Sequence, residues 1–281
     1  MKRLALALAV TGCLTAAAAA QECGGVETPC EIESGRYFIR LPDPGVAAQG
    51  TVLWLHGYGG SGRSDIASAG LVEPMLARGY AVIAADGLDW PEKGVRTDWG
   101  VVDGFDWRRD DILFLEAVIA DAAARFDIRT DRLVASGFSR GGSMVWDLVC
   151  ARPEAFIGAA PISGGFWEPM TRSCAGPVHL FHTHGFTDRT VPLEGRKAVF
   201  NGFPFHQGNI LEGLDVWRET DGCMGAADVD LAADGDWEKH WTSCESGSIV
   251  LWLHPGGHMI PPGWVDRMLD WADALAADAP Q

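Results

Sequence analysis

Three residue types that together perform acyl transfer occur in this chain in the order Ser, Asp, His. Ser139 lies in Gly137-Phe138-Ser139-Arg140-Gly141, a G-x-S-x-G pentapeptide. A hydroxyl is a weak nucleophile until an imidazole takes its proton. The imidazole in turn needs a carboxylate to hold its tautomer and stabilise its charged form. Asp188 closes His184-Gly185-Phe186-Thr187-Asp188, and His258 closes Gly256-Gly257-His258. Short patterns of this kind recur by chance, and a Gly-rich turn packing a helix on a sheet would read the same. A lone Asp past a strand is more often a cap or turn residue. Its place in the order Ser, Asp, His is what marks Asp188. His254, His179, His182 and His184 compete with His258, which is favoured as the last in the chain, after the last strand. His182 and His184 would share one strand face as a conceivable metal pair, but no third ligand is evident. No metal and no cofactor are expected, since this chemistry requires neither.

Such residues work only if the chain brings them together, and the hydrophobic pattern suggests how. Apolar runs at Thr51–Leu55, Tyr80–Ala85, Arg132–Ala135, Phe156–Ile162, Val178–His182 and Ile249–His254 read as buried strands. Arg36–Leu41 alternates like a half-buried strand. Helical spacing marks Ser64–Arg78, Asp110–Phe126, Arg140–Cys150 and Gly263–Ala276. Buried strands alternating with helices predict an α/β fold, mostly parallel in its central sheet, with helices on both faces. In such sheets ligands bind beyond the carboxyl ends of the strands. All three candidate residues fall there.

Ser139 also stands between an apolar strand and a helix, the setting a nucleophile elbow needs. The Arg140 N–H then opens a helix and points where an oxyanion would form. A second oxyanion donor is expected at the Tyr58 N–H, in the loop His56-Gly57-Tyr58-Gly59-Gly60 after the first buried strand. His56 reads as a brace for that loop. Asp89–Arg109 reads as a long loop carrying Trp90, Trp99 and Trp107, which either wall a substrate pocket or pack the loop down.

These pieces resemble the α/β-hydrolase esterases grouped with polyhydroxybutyrate depolymerases, the mycobacterial lipoprotein LpqC and carbohydrate-esterase-type feruloyl esterases. The resemblance rests on Leu55-His56-Gly57, Asp110-Asp111-Ile112-Leu113-Phe114, Gly137 to Gly142, Phe156 to Gly164, His184 to Asp188 and Gly257-His258, and spans about residues 35–275. It implies an α/β-hydrolase fold, a Ser139–Asp188–His258 triad and a small ester or oligoester substrate. The chain departs from the family at Arg140, where Asn is common, and at Met259-Ile260-Pro261, where an aromatic residue is common. A peptidase or a non-catalytic binding protein of the same fold is the alternative.

The composition is that of a globular chain: 281 residues, 47% hydrophobic, 21% charged, formal net charge −16. That charge repels nucleic acid and anionic membrane surfaces, and no transmembrane helix is expected after the N-terminus. Residues 1–20 read as a signal peptide, with Lys2 and Arg3 before an apolar stretch and a run of alanines before Gln21. Residues 21–281 are then one catalytic domain, secreted or periplasmic. Val10-Thr11-Gly12-Cys13 also resembles a lipobox, which would anchor the protein through Cys13. Six further cysteines fit disulfides in an exported protein, and sequence neighbours suggest Cys23–Cys30, Cys150–Cys174 and Cys223–Cys244. Fifteen connectivities are possible, and buried free thiols remain an alternative. The chain ends soon after its last helix, so no polymer-binding module is expected and solid polyester should be a poor substrate. The oligomeric state is left open.

Overall fold

GTVLWL and YAVIAA are buried along their whole length, as befits strands covered on both faces. They lie inside a ten-stranded sheet. The structure is a computed structural model describing residues 23–278 except 103, 201–202 and 234. The signal segment 1–20 and Cys13 lie outside the described residues.

The chain enters through β1 (Gly25–Ile32), β2 (Gly35–Arg40) and β3 (Gly50–Leu55). Two helices follow, α1 (Gly62–Ile66) and α2 (Ala69–Ala77), then β4 (Tyr80–Ala85). A small hairpin, β5 (Leu88–Trp90) and β6 (Val95–Asp98), precedes α3 (Asp111–Arg125). Next come β7 (Leu133–Phe138), α4 (Arg140–Ala151), β8 (Gly158–Ile162) and β9 (His179–Gly185). A second hairpin, β10 (Arg196–Phe200) and β11 (Phe203–Gln207), leads to α5 (Ile210–Asp221). The chain closes with β12 (Val229–Ala233), β13 (Asp236–Trp241), β14 (Ser248–His254) and α6 (Trp264–Asp278).

The sheet order is β1-β2-β4-β3-β7-β8-β9-β14-β13-β12. The six strands from β4 to β14 are parallel, and both edges are antiparallel. Alternation along β3 divides the core. Leu53 and Leu55 face one cluster, with α3, α4 and α5, while Val52 and Trp54 face the other, with α1, α2 and α6. This is the α/β-hydrolase architecture expected from the sequence.

Two local expectations are corrected. Ser64–Arg78 is not one helix. A capping box at Ser61 and Ser64 opens α1 early, and Ser68, in extended conformation, opens α2. Asp89–Arg109 is not wholly loop. Gly94, at φ 68°, lets the chain turn back into the β5–β6 hairpin. The structure joins Cys23 to Cys30, Cys150 to Cys174 and Cys223 to Cys244, the neighbours that the sequence pairs.

Near the last disulfide, α5 ends on Asp221, which is 1% exposed. Its Oδ1 accepts from the Val178 N–H at 3.1 Å, and its Oδ2 has no partner. Burial pushes the carboxyl up to about 7. An unfolded Asp ionises near pH 4. Between those values the folded protein holds a proton that the unfolded chain has released, so Asp221 removes stability as pH rises from about 4 to about 7. The cost is at most about 1.4 kcal/mol per pH unit in that window. D221N cannot ionise, so its melting temperature should gain on the parent's between pH 5 and pH 8. Parallel melting curves across that range would contradict this.

Candidate active site

β7 hands over to α4 through a turn that only glycine permits on either side of Ser139. A Cβ on Gly137 would sit 2.7 Å from the Leu55 carbonyl oxygen, and one on Gly141 would sit 1.9 Å from it. The turn therefore packs directly on the end of β3. Ser139 itself adopts φ 59° and ψ −118°, a conformation L residues avoid, and its N–H donates to Ile162 O at 2.8 Å. The backbone thus lifts the side chain clear of the sheet at the N-terminus of α4. The first helical N–H groups have no intrahelical partner, and no side chain caps them.

His258 and Asp188 come from the loops beyond β14 and β9, which pair in parallel with Leu253 opposite His184. The loops are tied by Thr187 N–H to Gly256 O at 3.1 Å and Thr187 Oγ1 to the same oxygen at 3.0 Å. His258 Nε2 stands 2.8 Å from Ser139 Oγ, and His258 Nδ1 stands 2.7 Å from Asp188 Oδ2. Asp188 Oδ1 accepts from the N–H groups of Thr190 and Val191 at 2.8 and 2.9 Å. Burial raises the Asp188 carboxyl, but the His258 bond and these N–H donors outweigh it, and the net shift is downward. An ionised Asp188 fixes the proton on Nδ1 and leaves Nε2 as the basic nitrogen facing Ser139.

The competing histidines have structural partners. His184 Nε2 donates to Val191 O at 2.8 Å, leaving Nδ1 to accept from His182 Nε2 at 3.2 Å. Burial lowers both imidazoles, so the pair is neutral packing beneath the Asp188 turn. His254 Nδ1 accepts from the Gly256 N–H at 3.1 Å. His56 Nε2 accepts from the Gly87 N–H at 2.8 Å, which makes Nδ1 a donor to Gly57 O at 2.7 Å. His56 is thus a brace.

The His56–Gly60 loop is laced to β6. Gly59 N–H donates to Thr97 O at 2.8 Å, Thr97 Oγ1 to Gly60 O at 2.5 Å and Trp99 Nε1 to His56 O at 2.8 Å. Asp98 takes the Arg140 guanidinium in two bonds of 2.6 and 2.8 Å, while that guanidinium lies 4.5 Å from the centre of the Trp167 ring. One buried ion pair therefore joins the hairpin to the first residue of α4, and the hydrogen bonds above join the same hairpin to the loop bearing Tyr58.

Beside Ser139 opens a cavity of about 440 Å³ with a largely apolar wall that includes Tyr58, Phe105, Trp107, Trp167, Val191 and Phe205. Of the three tryptophans proposed for it, only Trp107 lines it. Trp99 is fully buried against His56, and Trp90 packs edge-on behind Phe105. The hairpin turns both inward to hold it down. Trp167 and Phe205, which pair at 5.0 Å, were not foreseen. No sequence signal carries them, because they reach the site through the isolated Trp167–Gln207 bridge and the β10–β11 hairpin.

Fold and site together define an esterase of the α/β-hydrolase type. A model of the phospholipase/carboxylesterase family matches residues 40–203, more than half of the chain, and the chain belongs to that family. Feruloyl esterase C of Emericella nidulans is 24% identical over 212 residues, 72% of each chain. Feruloyl esterase D of Neurospora crassa is 24% identical over 279 residues, 92% of this chain and 88% of its own. The acetyl xylan esterase of Aspergillus awamori superposes with a TM-score of 0.64 at 15% identity, covering 84% of this chain and 93% of that one. The protein is a carboxylic ester hydrolase.

Removing one partner of the Asp98–Arg140 pair leaves a buried charge without its counter-ion. D98A should cost about 3 kcal/mol in urea unfolding, and D98A/R140M less than the two single changes summed. Additive losses would show that the two side chains are not coupled.

Proposed function

We propose that Ser139, His258 and Asp188 hydrolyse esters through a covalent acyl-enzyme. The observation that carries this reading is the pair of contacts at His258, 2.8 Å to Ser139 Oγ and 2.7 Å to Asp188 Oδ2. His258 Nε2 takes the Ser139 proton as Oγ attacks the ester carbonyl. The backbone N–H groups of Arg140 and Tyr58 receive the developing oxyanion. His258 then protonates the leaving alcohol, and water repeats the sequence on the acyl-enzyme. The leaving oxygen must stay within reach of His258, and the cavity beside Ser139 is assigned to the acyl group.

Its volume of about 440 Å³ and its aromatic wall suit an aryl or other compact acyl group. The feruloyl esterases named above support aromatic acids as the acyl class, and short-chain and hydroxyalkanoate oligomer esters fit the same space. Three disulfides support export from the cytoplasm.

Labelling with a fluorophosphonate, followed by peptide mass analysis, tests the nucleophile. The adduct is expected on Ser139 and absent from S139A. That variant should lose at least about 10³-fold in ester hydrolysis while melting as the parent does. Activity within threefold of the parent would overturn the assignment.

A further inference from the structure

One turn along α4 from the nucleophile, Ser143 lines the same cavity and is otherwise buried. Its Oγ accepts the Gly165 N–H at 3.2 Å and the Trp167 Nε1–H at 3.2 Å. A hydroxyl oxygen has two lone pairs and one proton. Both lone pairs are engaged, so the proton is all that Ser143 can still share. Among the described residues nothing accepts it. The carbonyl one turn back, Ser139 O, accepts the Ser143 N–H at 2.9 Å but no bond from the Ser143 hydroxyl, unlike Val216 O, which accepts from Thr220 Oγ1 at 2.8 Å. The hydroxyl is thus compelled to act as a donor, in a cavity whose wall is largely apolar.

The charged groups on the wall match that polarity. Arg140 and Arg196 are donors only, and the Asp98 carboxylate is covered by Arg140. Gln207 already uses its Oε1 to accept from Arg196 at 2.9 Å. A buried donor without an acceptor carries a penalty that a bound acceptor removes, and a site built this way rejects analogues that lack the acceptor.

We infer that Ser143 is a specificity-determining residue that selects acyl groups bearing an acceptor oxygen beyond the reacting carbonyl. An ether oxygen serves as well as a hydroxyl, because Ser143 needs an acceptor and cannot itself accept. The inference rests on the ester-hydrolase reading for its choice of substrates, and on the hydrogen bonds of Ser143 for the rest.

The test compares ethyl cinnamate with its three monomethoxy isomers and the matching monohydroxy esters. On the parent enzyme at least one methoxy isomer should exceed unsubstituted cinnamate about tenfold or more in kcat/KM, with the hydroxy ester at the same ring position no better than the methoxy. In S143A that ratio should collapse to within about threefold of unity. A change that only loosened the cavity would lower all substrates together and leave the ratio standing. Should S143A fail to fold, the parent enzyme and S139A decide. Calorimetric binding of the N-ethyl amides of the same acids to S139A reads the contact without any chemistry. The methoxy amide is expected to bind about tenfold tighter than the unsubstituted one. Equal binding of the amides, equal kcat/KM across the series, or an unchanged ratio in S143A would each overturn the inference. Tight, discriminating amide binding with no fluorophosphonate adduct on Ser139 would instead overturn the catalytic reading and leave Ser143 in its role.

Discussion

The close approach of two backbones organises this molecule. The turn between β7 and α4 rests on the Leu55 carbonyl, with no room for a Cβ at Gly137 or Gly141. Two things follow. Ser139 is held at φ 59°, which projects its hydroxyl beyond the sheet. The chain leaving β3 must also run past the nucleophile, so a Cβ on Gly57 would sit 3.4 Å from the Ser139 Cβ. One steric contact thereby places the hydroxyl and the neighbouring amide loop together. The register Leu55 opposite Gly137 within a parallel pair makes that contact reproducible.

The remaining parts depend on strand order. β9 and β14 are neighbours, so the loops beyond them meet at the same end of the sheet and bring Asp188 under His258. Neither side chain would be oriented by its own strand alone. Two N–H donors from the Asp188 turn hold one carboxylate oxygen, His258 takes the other, and a neutral histidine pair fills the space beneath. On the opposite side the β5–β6 hairpin is joined to α4 by a buried ion pair and to the His56–Gly60 loop by hydrogen bonds. In a chain of net charge −16, that pair leaves the charged groups of the acyl cavity donor-rich.

The parallel strands and the three residues at their ends were legible in the sequence because each depends on local pattern. Apolar runs of strand length mark β3, β4, β7, β8, β9 and β14, and the G-x-S-x-G turn marks a strand–helix junction. The order Ser, Asp, His then selects Asp188 and His258 from several carboxylates and imidazoles. The edge strands β1, β12 and β13 and the β10–β11 hairpin were not legible, because their residues are mixed or exposed, as in DWEKHW, and no strong period distinguishes them from loop. α5 was overlooked although Ile210, Leu214 and Trp217 fall at helical spacing between Asn209 and Gly222.

What the sequence by itself determined is therefore a scaffold and a candidate constellation: an α/β sheet, a tight turn bearing Ser139, and partners supplied from later strand ends. Only the tertiary structure decided which aromatic side chains face the substrate. Trp107, Trp167 and Phe205 reach the cavity, whereas Trp90 and Trp99 turn inward to hold the hairpin. It also decided that Ser143, an ordinary helical serine by sequence, has no acceptor for its proton among the described residues. Both outcomes arise from contacts between segments that are remote in the chain and carry no period or spacing. They depend on the positions of two hairpins above the sheet, which packing alone sets.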